Sequence, residues 1–228
     1  MSIKNQTILI VAAHSDDDAF GCGGTIAKLS KNNQIFAIYF TDGVSSRRNQ
    51  KSLAKSILER KRNTKKAAMI LGIKNFSYCS YPDNKLDSIS LLEITQRVEQ
   101  EISRVKPDII FTHFENDLNI DHVIINKAVI TATRPKPKIK VKKILLFETL
   151  SSTEWNFSLK KISFKPNYFI DISKTIEKKI KAVKSYKEEL FNWPHPRSVK
   201  GVKILAMFRG QSVGLKLAEG FQLLRQSD

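Results

Sequence analysis

The chain has little cysteine and no long apolar run, and each shortage excludes a class of protein. Its 228 residues include only 2 cysteines, too few for the disulfide framework of a small secreted domain. No apolar run approaches the roughly 20 residues that a membrane-spanning helix requires. Residues 1–6 lack the basic and apolar segments that open a secretory signal. The sequence therefore predicts a cytoplasmic globular protein without a membrane span.

Acidic residues are also scarce relative to basic ones. Lys and Arg number 39 against 22 Asp and Glu, which gives a formal net charge of +17. Apolar residues make up 41% of the chain and charged residues 27%, as in folded rather than disordered proteins. Such an excess of positive charge suits nucleic acid, an anionic membrane surface or a phosphorylated small molecule. No nucleic-acid-binding motif is recognisable, so no nucleic-acid partner is expected.

Apolar strand patterns alternate with helical ones over the first 150 residues. Residues 7–13 contain the run ILIVAA, which is typical of a strand buried on both faces of a parallel sheet. Further strand patterns lie at 35–40, 75–79, 108–112 and 142–148, separated by helical patterns that include 50–71, 90–105 and 121–133. This alternation predicts an α/β, Rossmann-like three-layer fold with a mostly parallel sheet.

After residue 150 the pattern changes. An aromatic segment at 155–172 is interpreted as a hairpin, and helical patterns follow at 173–190 and 198–209. No internal repeat or linker composition interrupts the chain. We therefore expect a single domain over residues 1–228, with a C-terminal hairpin-plus-helix elaboration.

Histidines and carboxylates concentrate just after the predicted strands, where ligands bind in open α/β sheets. The first strand is followed by His14 and by the consecutive carboxylates Asp16–Asp18, and the fourth by a segment that ends in His122. Three adjacent carboxylates repel one another unless a cation compensates them. The aspartates could instead complement a helix N-terminus. The placement of His122 in the matching loop favours a metal site, since imidazole and carboxylate together suit zinc or a neighbouring transition metal.

Two motifs at these positions resemble those of a known family. Residues 13–18 read Ala-His-Ser-Asp-Asp-Asp, and residues 117–122 end in Asp-His at a helix start. The turns at 41–43 and 82–84 and the segments at 195–198 and 218–221 look similar as well. In this order the motifs resemble the zinc-dependent PIG-L/LmbE-type N-acetylglucosaminyl de-N-acetylases, over nearly the whole chain.

The resemblance implies an activity and a set of site residues. His14, Asp17 and His122 would hold Zn²⁺ or another divalent transition metal. Asp16 would be the general base that takes a proton from the attacking water. The implied reaction is hydrolysis of the N-acetyl group of an amino sugar, which releases acetate.

The chain departs from the family pattern at several positions. Ser15 replaces the usual Pro and Asp18 the usual Glu, while Asn119 stands where many members have a His. That His is thought to assist the tetrahedral intermediate. Our hypothesis is that His195 takes over this catalytic role and that Asp121 orients it. The alternative is that His195 is an ordinary histidine of a surface loop.

Arginines near the predicted site indicate the chemistry of the substrate. A guanidinium binds phosphate or carboxylate through two parallel hydrogen bonds. We predict that Arg47 and Arg197 contact an anionic part of the substrate, and that Asp42 and Asn119 also bind it. The sugar would then carry a phosphate, nucleotide or lipid-phosphate group.

Two other functions stay open at this stage. One is an amidase of the same fold that acts on a different N-acyl substrate, and the other is a basic binding module with a non-catalytic metal site. Peripheral contact with a membrane surface also stays open, and no pattern indicates an oligomeric state.

Overall fold

The alternating elements of the sequence build one sheet with helices on both faces. The computed structural model describes residues 3–47, 52–136, 140–157 and 163–227. Its strands are β1 (Thr7–Ala12), β2 (Gln34–Thr41), β3 (Asn75–Tyr81), β4 (Ile109–His113), β5 (Lys143–Phe147), β6 (Tyr168–Asp171) and β7 (Ala218–Gln226). Its α-helices are α1 (Asp17–Leu29), α2 (Leu53–Leu71), α3 (Leu91–Val105), α4 (Ile120–Ala132), α5 (Ile176–Val183) and α6 (Val199–Gln211). The predicted α/β class is confirmed.

The strand order places the first and fourth strands side by side. The order is β3-β2-β1-β4-β5-β7-β6, and the pairings among β1 to β5 are parallel. The chain winds in one direction from β1 to β3 and in the other from β4 to β5. The carboxyl ends of β1 and β4 therefore flank the point where the direction reverses, which is the usual ligand-binding crevice of such sheets.

Alternation along β1 divides the hydrophobic core into two layers. Ile8 and Ile10 face the layer that holds α1, α2, α5 and α6, whereas Leu9 and Val11 face the layer with α3 and α4. All four side chains are completely buried. The uninterrupted apolar run of β1 follows from this burial on both faces.

The C-terminal part differs from the predicted hairpin. Residues 158–162 of the proposed 155–172 hairpin lie outside the described residues. The one strand in its described part, β6, pairs antiparallel with the distant strand β7, which the sequence analysis did not identify. Strand β7 also pairs with β5, so the end of the chain completes the same sheet. Periodicity indicates a strand but not its partner, and this explains the error.

The C-terminal helices place a loop next to the first helix. Helix α5 ends at Val183, short of the predicted residue 190, and a 3₁₀ turn follows at Lys187–Glu189. Between this turn and α6, the chain carries the His195–Ser198 segment back toward β1. Within the described ranges, the helices lack the length and apolar character needed to cross a membrane.

Gly201 allows α6 to pack closely against this loop. A Cβ atom at Gly201 would lie 2.2 Å from the carbonyl oxygen of Pro196, a backbone atom that no side-chain rotation can move away. We expect Gly201→Ala to lower the free energy of unfolding by about 1–3 kcal/mol, the usual cost of overpacking. Chemical denaturation would measure it. The exposed neighbour Lys200→Ala is the control, expected within about 0.5 kcal/mol of wild type. Equal stabilities of the two variants would contradict the packing argument.

Candidate metal centre and active site

The ends of β1 and β4 bring two histidines and an aspartate together. His14 lies two residues after the end of β1, Asp17 begins α1, and His122 lies in the first turn of α4. The three residues are buried, with exposed fractions of 8%, 0% and 1%. The adjacency of β1 and β4 in the sheet therefore converts a separation of 108 residues into direct contact between His14 and His122.

The three donor atoms form a nearly equilateral triangle. His14 Nδ1 lies 3.1 Å from Asp17 Oδ2 and 3.2 Å from His122 Nε2, and the third side, from His122 Nε2 to Asp17 Oδ2, is 3.3 Å. Neighbouring ligands of a tetrahedral zinc with bonds of about 2.0–2.1 Å are separated by about 3.3 Å. Asp17 Oδ1 is buried without a hydrogen-bond partner in the described part of the chain. The donor set, its spacing and this unpaired carboxylate oxygen fit a divalent transition metal.

The other nitrogen of His14 faces two carboxylates. His14 Nε2 lies 3.0 Å from Asp83 Oδ1 and 3.4 Å from Asp121 Oδ2. Both Asp121 oxygens also accept backbone hydrogen bonds, from Asn84 N at 2.8 Å and from Leu86 N at 3.0 Å. Carboxylates beside Nε2 favour the tautomer protonated there, which leaves the Nδ1 lone pair free for a metal.

Charge interactions dominate protonation in this cluster. Burial alone would raise the pKa of Asp17, but His122, His14 and His113 hold it well below its ordinary value. Burial would lower the pKa of His122, but Asp17 and Asp117 outweigh it and raise the value to about 9. Without a metal, His122 therefore retains a proton beside Asp17. A metal bound at the donor triangle would displace that proton.

Asp117 orients His122 through Nδ1, the ring nitrogen that is not part of the donor triangle. Its Oδ1 atom lies 3.1 Å from His122 Nδ1 and accepts a hydrogen bond from the Ser152 hydroxyl. Its Oδ2 atom accepts a 2.6 Å hydrogen bond from the Thr153 hydroxyl. This carboxylate–histidine pair is the arrangement that fixes the ring of a metal ligand. Asp117 opens the second sequence motif, for which only Asn119, Asp121 and His122 had predicted roles.

Removing the Asp117 charge should weaken metal binding. We expect Asp117→Asn to lower the affinity for Zn²⁺ by about 10–100-fold, since the amide orients His122 less firmly and makes it less basic. Competition with a chromophoric chelator would measure this affinity. Glu115→Gln, in the same loop, is the matched control. Equal Zn²⁺ affinity in the Asp117 variant and wild type would contradict the orienting role.

His113 supports the site without belonging to the donor triangle. Its Nε2 atom accepts a 2.9 Å hydrogen bond from Ala13 N, and its ring stacks on His122 with centroids 3.9 Å apart. Burial and the neighbouring His122 lower the pKa of His113 to about 4, so its ring is neutral at neutral pH. His113 thus packs against a candidate ligand and ties β4 to the turn after β1.

A polar cavity of about 200 Å³ opens beside the donor triangle. Its wall consists of His14, Asp16, Gly43, Ser46, Arg47, Arg60, Asp83, Asn84, Asn119, Glu189 and Arg197. Asp16 is held between two guanidiniums, with Arg60 Nη1 3.4 Å from Oδ1 and Arg197 Nη1 3.1 Å from Oδ2. The predicted base and the candidate ligand His14 therefore share one cavity.

Of the predicted substrate-binding residues, three line this cavity. They are Arg47, Asn119 and Arg197. Asn119 also begins α4, because its Oδ1 atom accepts a 2.9 Å hydrogen bond from Asp121 N. Asp42 lies outside the cavity wall. Its Oδ1 atom accepts from the backbone of Val44 and Ser45 at 2.9 and 2.7 Å, so its observed role is to shape the turn after β2.

His195 is not among the residues of the cavity wall. Its ring contacts Phe191 and Trp155, at centroid distances of 4.2 and 5.3 Å, and its Nδ1 accepts from Arg197 N at 3.1 Å. The expected contact with Asp121 is not found among the described residues, since Asp121 faces His14 and the backbone of residues 84 and 86. Its catalytic role stays a prediction without geometric support, and His195 instead positions the Arg197 backbone.

Three charged residues of the wall, Arg60, Asp83 and Glu189, received no site role from the sequence. Asp83 stood in the turn motif at 82–84. Burial would raise its pKa, but the contacts with His14, Ser46 and Arg60 together lower it to about 2. Arg60 is one of several basic residues on α2. Its 5% exposure distinguishes it from the others, and the sequence does not reveal this burial. Glu189 carried no signal, because its contact with Arg47 joins residues 142 positions apart.

Comparison with known proteins connects this site to a family. The family model described as PIG-L: GlcNAc-PI de-N-acetylase matches residues 9–133. The chain is 28% identical over 193 residues to the uncharacterized deacetylase YaiS of Escherichia coli (strain K12), covering 81% of this chain and 92% of that protein. It is 25% identical over 232 residues to the diacetylchitobiose deacetylase of Thermococcus kodakarensis, covering 96% of this chain and 83% of that protein.

A solved structure supports the same relationship at the level of the fold. The N,N'-diacetylchitobiose deacetylase from Pyrococcus horikoshii has a TM-score of 0.77 and 22% identity, covering 96% of this chain and 83% of that chain. The family match spans more than half of the 228 residues and includes all three residues of the donor triangle. The predicted resemblance is confirmed, and the chain belongs to the PIG-L family of de-N-acetylases.

Proposed function

We propose that this protein is a metal-dependent hydrolase that removes the N-acetyl group from an anionic N-acetylated amino sugar and releases acetate. The observation that carries the proposal is the donor triangle of His14, Asp17 and His122, one corner of which, His14, lines the same polar cavity as Asp16. The deacetylase names of the relatives support the reaction class. Zn²⁺ is the metal we propose, since two imidazoles and a carboxylate suit it.

The proposed mechanism assigns the proton transfers to Asp16. A divalent metal at the donor triangle would supply Lewis-acid chemistry, which acidifies water and polarises the acetamide carbonyl. Asp16, whose carboxylate lines the cavity, takes the proton from the attacking water as its oxygen bonds to the carbonyl carbon. The same carboxyl group then delivers that proton to the leaving nitrogen. Acetate and a free amine result, and Asp16 returns to its starting state.

Two neighbouring arginines orient Asp16 for the proposed proton transfers. The Arg60 and Arg197 guanidiniums, 3.4 and 3.1 Å from its two oxygens, fix the orientation of the carboxylate. This fixed geometry reduces the entropic cost of reaching the reactive arrangement.

The cavity wall favours a polar and negatively charged substrate. Apart from Gly43, every residue of the wall carries a hydrogen-bonding or charged side chain. Sugar hydroxyls suit such a surface, and Arg47 and Arg197 suit a phosphate or carboxylate group.

We assign the enzyme to the cytoplasm, a proposal that the two free cysteines support, because a reducing compartment keeps thiols unpaired.

A parallel assay of substrates tests the proposal. The Zn²⁺-loaded protein would be incubated with N-acetylglucosamine, its 1-phosphate, UDP-N-acetylglucosamine and an N-acetylglucosaminyl lipid, and acetate and free amine measured together. We expect equimolar products, with higher kcat/KM for the phosphorylated sugars than for N-acetylglucosamine. Binding of these sugars without release of acetate would instead indicate a binding module.

A further inference from the structure

An internal carboxylate occupies the positively charged part of the cavity. Glu189 Oε1 accepts hydrogen bonds from Arg47 and Arg60, and Glu189 Oε2 lies 3.4 Å from Arg197 Nη1. These three arginines, called here the arginine trio, come from the loop after β2, from α2 and from the loop before α6. One carboxylate thus satisfies cations from three separate elements.

The arginine trio can pair with more oxygen acceptors than Glu189 alone supplies. Three carboxylates contact it: Asp16 and Glu189 in the cavity wall, and Glu188, which pairs with Arg47 from outside the wall. Arg60 is only 5% exposed, and its Nη1 nitrogen, which forms an ion pair with Asp16 at 3.4 Å, has no hydrogen-bond partner among the described residues. A buried guanidinium nitrogen without such a partner carries a cost that a further oxygen acceptor would remove.

Glu189 lies in a short turn at the protein surface. It closes the 3₁₀ turn Lys187–Glu189, none of whose residues is buried. Its side chain lines the cavity and is 14% exposed to solvent. Rotation of this side chain alone would empty the space between the guanidiniums. Arg60 and Arg197, by contrast, would stay anchored by Asp16 and by the Gly43 and Leu150 carbonyls. Arg47 would keep its contact with Glu188.

We propose that the arginine trio binds a phosphoryl group of the substrate and that Glu189 holds this position in the free protein. The inference rests on the proposed function and names the anionic group of its substrate. A phosphoryl group carries several oxygens and up to two charges, so it can displace a single carboxylate from three guanidiniums. A neutral sugar cannot, so Glu189 would act as a selectivity device against unphosphorylated substrates.

Equilibrium binding of inorganic phosphate tests this displacement independently of catalysis. Calorimetric titrations would compare Zn²⁺-loaded wild type, Glu189→Gln and Glu188→Gln. An internal group that competes for the site multiplies the apparent affinity for phosphate by the fraction of time that it leaves the site empty. We therefore expect Glu189→Gln to bind phosphate at least about tenfold more tightly. Glu188→Gln removes a charge at the adjacent residue, whose half-exposed side chain contacts only Arg47 of the trio. Its phosphate affinity should stay within about threefold of wild type.

A second variant shows where the added affinity arises. Adding Arg47→Gln to Glu189→Gln should abolish the gain in phosphate affinity. Equal phosphate affinity in the Glu189 and Glu188 variants, or weaker binding in Glu189→Gln, would overturn the proposal and make Glu189 a structural brace. Thermal unfolding would confirm that each variant is folded.

Two further ligands identify the source of the phosphoryl group. Glucose 1-phosphate and UDP-glucose lack an acetamide, so neither can be hydrolysed by the proposed reaction. A gain in Glu189→Gln for glucose 1-phosphate indicates a sugar monophosphate, and a gain for UDP-glucose indicates a nucleotide sugar. No gain for either would overturn the assignment to a sugar phosphate. Tighter phosphate binding without acetate release from any acetylated sugar would contradict the proposed function and leave the arginine site standing.

Discussion

Replacing His122 by Gln is expected to lower kcat/KM for acetate release by at least about a thousandfold. His122 supplies one corner of the donor triangle, and Asp17 and His14 alone would leave the metal two protein ligands. The lost Lewis-acid contribution of several kcal/mol corresponds to about three powers of ten in rate. Metal content after dialysis and the rate of acetate release would be measured on the same sample.

A second substitution on the same helix controls for effects on folding. Lys127 lies on α4 with an exposed side chain, and Lys127→Ala should keep both the metal and the activity. Thermal unfolding would show whether the His122 variant is folded. Retention of metal and of activity within tenfold of wild type by folded His122→Gln would contradict the assignment of the donor triangle.

The second large effect is expected at Asp16. Asp16→Asn should lower kcat by about 10²–10⁴-fold, the usual contribution of general acid–base catalysis, because the amide cannot accept the proton of the attacking water. The donor triangle does not include Asp16, so metal content should stay at the wild-type value. Steady-state kinetics and metal analysis together would separate a lost base from a lost metal.

The neighbouring Asp18 provides a matched control. It accepts a 2.7 Å hydrogen bond from the Tyr39 hydroxyl, is 1% exposed and is absent from the cavity wall. Burial raises its pKa to about 7, despite hydrogen bonds that lower it, so its carboxyl group is partly neutral already at neutral pH. Asp18→Asn should therefore change kcat less than tenfold. Similar losses in the two variants would contradict a specific role for Asp16 as the base.

Local patterns made the first half of the fold predictable. The apolar run of β1 required burial on both faces. Gly72, in the left-handed conformation with φ +81°, ends α2 just after residue 71, where the predicted helical pattern of 50–71 stops. The parallel order of these strands then placed His14 and His122 at the same crevice. The proximity of the two histidines follows from the sheet topology, which the alternation of strands and helices in the sequence indicates.

The parts that the sequence did not indicate depend on distant pairings. Strand β6 pairs with β7 across two helices, and Glu189 reaches Arg60 from 129 positions away. No local periodicity encodes such contacts. The site roles predicted for Asp42 and His195 stay predictions. The structure shows that each side chain accepts hydrogen bonds from the backbone of its own loop and lies outside the cavity wall.

The net charge of +17 has a clearer meaning in view of the site. Carboxylates cluster around the donor triangle and the cavity, whereas many lysines lie on exposed helix surfaces. The charge that the proposed function uses is carried by Arg47, Arg60 and Arg197, each of which has carboxylate partners. The basic surface would steer an anionic sugar toward the cavity at low ionic strength.

The most direct test of metal-dependent deacetylation is a metal titration with acetate release as the readout. Protein freed of metal by a chelator would receive increasing Zn²⁺ in the presence of the phosphorylated N-acetylglucosamine that it hydrolyses best. We predict no release without metal and a rate that rises in proportion to bound Zn²⁺, up to about one equivalent per chain at the donor triangle. Undiminished release from metal-free protein, or no release from any acetylated sugar by fully loaded protein, would contradict the account.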